Sequence, residues 1–212
     1  MLTVHHLATS QSDRIVWLCE ELGIPYELKR YARDPVTRLA PAEYCALHPA
    51  GTAPVISDGD VQLGESAAII EYIINRYGQG RLAVAPSDPA YADYLFWFHY
   101  ANGSFMPAAM MGLVSRMVPA EGADALKSLT RRLDRAWDLV EARLGQSEYL
   151  AGDSFTAADI MILFPLTTMR LFAPRELAGY PNVAAYLQRI GARPAFKAAM
   201  EKADPGFVVP LT

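Results

Sequence analysis

Apolar positions along this chain change period, and each change marks an element. The run "LTVHH" (2–6) is short, partly β-branched and ends in polar residues, so it predicts a strand. Ile15, Leu18, Cys19 and Leu22 then recur at i, i+3, i+4 and i+7, one face of a helix, which Gly23 stops. "YELKR" (26–30) returns as a strand. Strand, helix and strand in this order favour a right-handed parallel crossover. Residues 31–50 are rich in Pro, Ala and charge and read as a loop with one weak helix near 41–47. "PVIS" (54–57) and "DVQL" (60–63) flank Asp58-Gly59, a strong hairpin signal. Ile70, Ile73, Ile74 and Tyr77 repeat the helical spacing, with a start near Ser66.

Residues 1–78 therefore predict an α/β domain of βαβ followed by ββα, and the Gly- and Pro-containing stretch 79–89 a linker. All of 90–212 predicts helices. A long aromatic helix over 90–118 is expected to bend at Pro107. Leu126, Leu129, Leu133, Ala136, Trp137, Val140 and Leu144 line one face of a helix over 123–145. The helix 156–172 is apolar on every side, as a central buried helix is. Val183, Leu187 and Ile190 mark another, and 194–203 a short last one. Thr156 and Asp159 in "GDSFTAAD" form a capping box, whose role is folding rather than chemistry.

Composition narrows the function. With 52% hydrophobic and 20% charged residues the chain can bury a large core, which excludes disorder. A net charge of −4 argues against nucleic-acid binding and leaves any anion to be held locally. Cys19 and Cys45 have no zinc-ligand spacing, so no metal is expected, and two unpaired thiols fit a reducing compartment. The N-terminus lacks a signal-peptide pattern, and no apolar run approaches the roughly 20 residues of a membrane span. A cytoplasmic protein is expected.

The chemistry concentrates in "GTAPVISDGDVQLGES" (51–66). Pro54 opens a strand, for which an ordinary trans edge position is the base expectation. A cis bond there would turn the Val55 N–H and C=O sideways, where they could pair with an extended peptide. Ser66 at a helix N-terminus suits a carboxylate, and Glu65 suits an ammonium group. Glutathione carries both an α-amino acid end and a peptide. A hydroxyl in "TSQSDR" (9–14), ahead of the first helix, could donate to its sulfur. Such a charged hydrogen bond is worth roughly 1.5–3 kcal/mol, enough to lower a thiol by about 1–2 pKa units. Among other candidates, adjacent His5 and His6 point to opposite faces and read as structural. His48 reads as a hydrogen-bonding loop residue, Arg14 as half of a structural ion pair, and Cys19 as a buried small hydrophobe.

These motifs resemble those of the cytosolic glutathione S-transferases of the serine type, in the branch shared by bacteria and fungi. "HHLATSQSDRIVWLCEELGIPYELKRYARD" (5–34), "HPAGTAPVI", "ESAAIIEYI", "HYANGS" and "AGDSFTAADI" carry the resemblance over nearly the whole chain. It implies a thioredoxin-like first domain with cis-Pro54, an all-helical second domain and a homodimer. It implies glutathione as co-substrate, with no tightly bound cofactor, held by the Val55 backbone, Glu65 and Ser66. It also implies a catalytic hydroxyl before the first helix. Ser10, four residues ahead of Arg14, matches best, with Thr9 and Ser12 as alternatives. The chain departs from the pattern at Thr52, where a Lys is usual near the glycine carboxylate, with Arg38 as a possible substitute. It departs again at Asn102, where an acid is common. Tyr100, Phe105 and Met106 are the expected electrophile pocket. The tail 204–212 could cover that pocket or pack elsewhere. The activity implied is conjugation of the glutathione thiolate to small apolar electrophiles. Glutathione-dependent peroxide or disulfide reduction, or a non-catalytic interaction module, are the alternatives.

Overall fold

The structure, a computed structural model, describes residues 1–117 and 123–212, and side chains from 130 onward in the helix that begins at 123. Val118, the last residue of the expected 90–118 helix, lies outside the described residues, as do the side chains of Leu126 and Leu129. The chain divides into two compact units, one of residues 1–83 with 192–209 and one of 84–191 with 210–212.

The first unit is built on four strands in the order β2-β1-β3-β4: β1 Leu2–Leu7, β2 Glu27–Tyr31, β3 Val55–Asp58 and β4 Val61–Gly64. β1 runs parallel to β2, with Val4 beside Leu28, and antiparallel to β3, with Val4 beside Ile56. The helices α1 (Asp13–Leu22) and α3 (Ser66–Arg76) supply Ile15, Leu18, Ile69, Ile70 and Ile73, all fully buried with Val4 and Ile56. A short α2 covers Ala42–Cys45. Gly23 ends α1 in the left-handed region (φ 61°), its N–H turned back to the carbonyls of Cys19 and Glu20.

The hairpin loop is Gly59–Asp60, one residue later than expected, because Asp58 stays in the ladder opposite Val61. Its carboxylate is held there by the hydroxyls of Tyr72 (2.9 Å) and Tyr77 (2.5 Å). Those hydroxyls, Tyr77 foremost, keep it below the usual carboxylate range.

The last helix corrects the expected division, in which all of 90–212 formed one helical domain. α9 (Pro194–Ala203) packs in the first unit, on α1. Arg14, Val16 and Trp17 are buried along with the expected face of α1, so this helix is covered on more than one side. Phe196 meets the Trp17 ring edge-on at 5.1 Å. Arg193 grips both Glu21 oxygens at 2.7 and 2.8 Å, and Lys202 reaches Glu20 at 2.7 Å.

In the second unit the expected 90–118 helix is three pieces. These are α4 (Tyr91–Tyr100), a π-helical turn (Ala101–Phe105) and α5 (Met106–Ser115). The interruption precedes Pro107 rather than falling on it. Pro107 sits in the first turn of α5, where a proline fits, and the wide turn takes up the bond a proline cannot make. α6 spans Ala123–Leu144, α7 Ala157–Leu166 and α8 Pro181–Ala192. Every residue of α7 is buried. A separate 3₁₀ turn, Thr168–Leu171, replaces the end of the expected 156–172 helix.

Thr156 and Asp159 form the capping box. Asp159 accepts from the N–H groups of Thr156 (2.9 Å) and Leu150 (3.0 Å) and from the Tyr186 hydroxyl (3.1 Å). Burial nevertheless pushes its carboxyl up to about 6. Among the described residues no helix is long and apolar enough to cross a membrane.

Candidate functional site

The site grows from the loop between β1 and α1. Thr9 takes a left-handed backbone (φ 52°), a conformation uncommon outside glycine. It is held by its neighbours: Thr9 N–H donates to Asp204 Oδ2 at 3.1 Å, Ala8 N–H to the Tyr31 carbonyl at 3.0 Å, and Arg33 Nε to the Ala8 carbonyl at 2.8 Å. This strained turn sets Ser10 just ahead of α1. Ser10 Oγ donates to the Leu7 carbonyl at 2.7 Å and lies 2.8 Å from Ser12 Oγ. Leu7 N–H and His6 Nδ1 complete the surroundings of Ser12 Oγ, at 3.1 and 2.9 Å.

Exposure separates the three candidate hydroxyls. Ser12 is sealed at 0%, Ser10 reaches the surface at 6%, and Thr9 is half-buried. Of the two serines in the loop, Ser10 presents the more open hydroxyl, while Ser12 Oγ is enclosed by Leu7, His6 and Ser10. Ser10 can donate to an incoming atom by rotating its hydroxyl away from the Leu7 carbonyl.

A second cluster starts at the β3–β4 hairpin. The Ala53–Pro54 peptide is cis, and Pro54 and Val55 are buried. Val55 lies opposite Gly64, so β3 delivers it beside the residues that precede α3. Glu65 has φ 70° and ψ 122°, strained for a residue with a side chain, and its carboxylate is exposed. Ser66, 1% exposed, opens α3, and Arg14 Nη1 donates to its Oγ at 3.3 Å. The same nitrogen donates to Gln11 Oε1, so one guanidinium ties the Ser10 loop to the start of α3.

Arg14 is fully buried, and burial pulls it down to about 10 against the attraction of Asp13. Asp13 is pushed up to about 6 by burial. Arg14 therefore links the two clusters through its bonds to Gln11 and Ser66.

Thr52 and Arg38 are both exposed. Arg38 is left-handed at φ 62°, and its carbonyl accepts from Arg33 Nη1 at 3.0 Å. Phe105 and Met106, expected at the electrophile pocket, both pack within the second unit. Phe105 is at 0% exposure against Trp137, with ring centroids 5.5 Å apart, and Met106 packs with Ala109, Phe164 and Met169. Both face the helical core, because the π turn carries them inward. Tyr100 lines a cavity of about 330 Å³ within the second unit, with Gly103, Ser104, Pro107, Met111 and Arg135.

His5 and His6 point apart, as alternation requires. His5 meets the hydroxyls of Tyr31 (3.0 Å) and Ser57 (2.8 Å), and burial lowers its pKa. His48 Nδ1 accepts from Ala50 N–H at 3.2 Å. Burial pushes the Cys19 thiol far up, and Cys45 is exposed. Among the described residues no group of three His, Cys, Asp or Glu side chains could hold a metal.

The tail divides: 204–209 belong to the first unit and 210–212 to the second, where Arg170 Nη2 donates to the Thr212 carbonyl at 2.8 Å. Asp204, Arg33 and Gln11 were not singled out in the sequence. No local spacing signals them, since each is recruited from another part of the chain or through a side-chain bond.

Two domain patterns match this chain: the glutathione S-transferase N-terminal domain over residues 4–81 and its C-terminal domain over 105–194. Glutathione S-transferase 3 of Schizosaccharomyces pombe is 33% identical, over 96% of this chain and 88% of that protein. Glutathione S-transferase 3 of Zea mays is 31% identical, over 87% of this chain and 86% of that protein. The crystal structure of a glutathione S-transferase from Actinobacillus pleuropneumoniae superposes with a TM-score of 0.86 at 36% identity, covering 96% of this chain and 93% of the other. The chain belongs to the glutathione S-transferase family.

Proposed function

We infer that this protein is a glutathione transferase in which Ser10 holds the thiolate. The observation that carries this is Glu65. Its exposed carboxylate is held on a strained backbone directly before a buried Ser66 at the start of α3. The Glu65 carboxylate takes the ammonium of the γ-glutamyl end, while Ser66 and the free N–H groups of α3 take its carboxylate. The peptide runs along the Val55 main chain as an added strand.

The thiol releases its proton to water, and Ser10 Oγ–H donates to the sulfur anion that remains. A sulfur lone pair then forms an S–C bond to the electrophile. In substitution the leaving group departs with the bonding pair. In conjugate addition the displaced pair settles on the acceptor, which takes a proton from water. A serine at this position rather than a cysteine favours transfer over disulfide chemistry, because no protein sulfur is offered for a mixed disulfide. No metal or tightly bound cofactor enters the scheme. A cytoplasmic homodimer with a detoxifying role accords with the family and with two free cysteines.

Retention on immobilised glutathione, together with chloride release and thioether formation from an activated aryl chloride, tests the reading. Retention without thioether formation on any electrophile points to a binding module. Absence of retention at millimolar glutathione contradicts the site.

A further inference from the structure

A continuous line of polar groups runs from Ser10 to the end of α9. Ser10 Oγ is 2.8 Å from Ser12 Oγ, Ser12 Oγ is 2.9 Å from His6 Nδ1, and His6 Nε2 is 3.2 Å from Asp204 Oδ2. Ser12 and His6 are both at 0% exposure, so water does not supply alternative partners.

Proton counting gives the line a direction. Asp204 is negatively charged and accepts only, so at ion-pair distance from Nε2, although no aligned hydrogen bond joins them, it favours the His6 proton at Nε2 over Nδ1. Ser12 must then give its one proton to Nδ1. Its oxygen becomes an acceptor, toward Leu7 N–H and toward Ser10. Ser10 keeps its proton as a donor, with the Leu7 carbonyl, Ser12 Oγ or a ligand sulfur as the choices. In the other tautomer Nδ1–H donates to Ser12, and the Ser12 proton turns to Ser10 Oγ (2.8 Å) or to the Leu7 carbonyl (3.3 Å). Toward Ser10 Oγ it occupies a Ser10 lone pair, and toward the Leu7 carbonyl it takes the acceptor that Ser10 uses at rest, so in either case the partners of the Ser10 hydroxyl change.

We propose that His6 and Asp204 are positioning residues for Ser10: the pair fixes one imidazole tautomer, which aligns Ser12 and leaves the Ser10 hydroxyl as the donor to a bound sulfur. This rests on the reading of Ser10 as the group that holds the thiolate. Asp204 acts on the loop a second time, through its bond from Thr9 N–H at 3.1 Å. It also stays ionised. Burial works to raise its pKa, but His6, Thr9 N–H and Arg33 outweigh burial and hold it below the ordinary range. The other charged groups facing the pair are Asp13 on α1 and Arg33 after β2.

The test reads the pKa of glutathione bound to the full chain, from thiolate absorbance in the ultraviolet, beside its Kd and the melting temperature. Asp204→Asn keeps an acceptor but can also donate to a bare Nε2, so it permits the wrong tautomer. It should raise the bound-thiol pKa by about one unit, a tenfold loss of thiolate at a pH below it, with Kd changed less than about threefold. His6→Leu should do the same, and His6→Asn, whose carbonyl can stand where Nδ1 stands, should recover part of the loss. Ser10→Ala is the reference. If Ser10→Ala raises the thiol pKa and Asp204→Asn leaves it unmoved, with only the melting temperature lowered, the positioning role is overturned. If Ser10→Ala itself has no effect, the reading of Ser10 falls first and this one with it. Should His6→Leu fail to fold, Asp204→Asn decides alone.

Discussion

Arg14 Nη1 donates to Ser66 Oγ across 3.3 Å, joining the first turn of α1 to the first turn of α3. The bond crosses from the hydroxyl loop to the residue proposed to hold the γ-glutamyl carboxylate. It is made by a guanidinium with 1% exposure. Removing a buried charged donor leaves its acceptors unsatisfied, a loss typically of about 1.5–3 kcal/mol. Arg14→Ala should therefore lower stability to urea by that order and weaken glutathione binding as well. A variant that unfolds at the wild-type urea midpoint would contradict the account of this link.

Glu65 sets stability against binding. A side chain at φ 70° costs on the order of 1 kcal/mol, which glycine relieves. Glu65→Gly should raise the melting temperature or leave it level while weakening glutathione roughly tenfold or more, the worth of one charged hydrogen bond. Glu65→Gln, which keeps the backbone strain, should lose affinity without the gain in stability. Calorimetry on both variants separates the two effects. Equal affinity in all three proteins would remove Glu65 from the site.

Asp159 makes stability depend on pH with a definite sign. Its carboxyl is pushed to about 6 in the fold, from an ordinary 3.8. Below 3.8 both folded and unfolded chains hold the proton, and the contribution is complete. Between 3.8 and about 6 the unfolded chain ionises first, so the contribution is lost as pH rises, by about 3 kcal/mol in all. Asp13, pushed up to about 6 by burial, runs the same way. Asp159→Asn lacks the titration. Its stability deficit against the parent should be largest near pH 4 and shrink by pH 7, as read from urea midpoints. A deficit constant across that range contradicts the sign.

The strands, the hairpin, the stop at Gly23 and the isoleucine face of α3 were legible because each rests on residues within a few positions of one another. The placement of α9 was not. Phe196 shows only that a helix has an apolar side; that Trp17 covers it, and that Glu21 binds Arg193, depends on partners far away in the chain. The π turn before Pro107 was hidden for a related reason. The proline announced a break, but packing of Phe105 against Trp137 decides where the extra residue is absorbed.

Ser10, Glu65 and Ser66 of the proposed site stand out in the sequence only as residue types at the ends of predicted elements. His6 and Asp204 do not stand out. The alternation of β1 shows only that His6 faces away from His5, and Asp204 meets it after the whole intervening chain has folded.

Everything proposed for this site turns on the Ser10 hydroxyl stabilising the sulfur anion of bound glutathione. The most direct measurement is a pH titration of thiolate absorbance for glutathione bound to the wild type and to Ser10→Ala. The account predicts a bound thiol about 1–2 units below an ordinary pKa of about 8.5 in the wild type, and a return toward it in the variant at similar glutathione affinity. Coincident titration curves for the two proteins would contradict it.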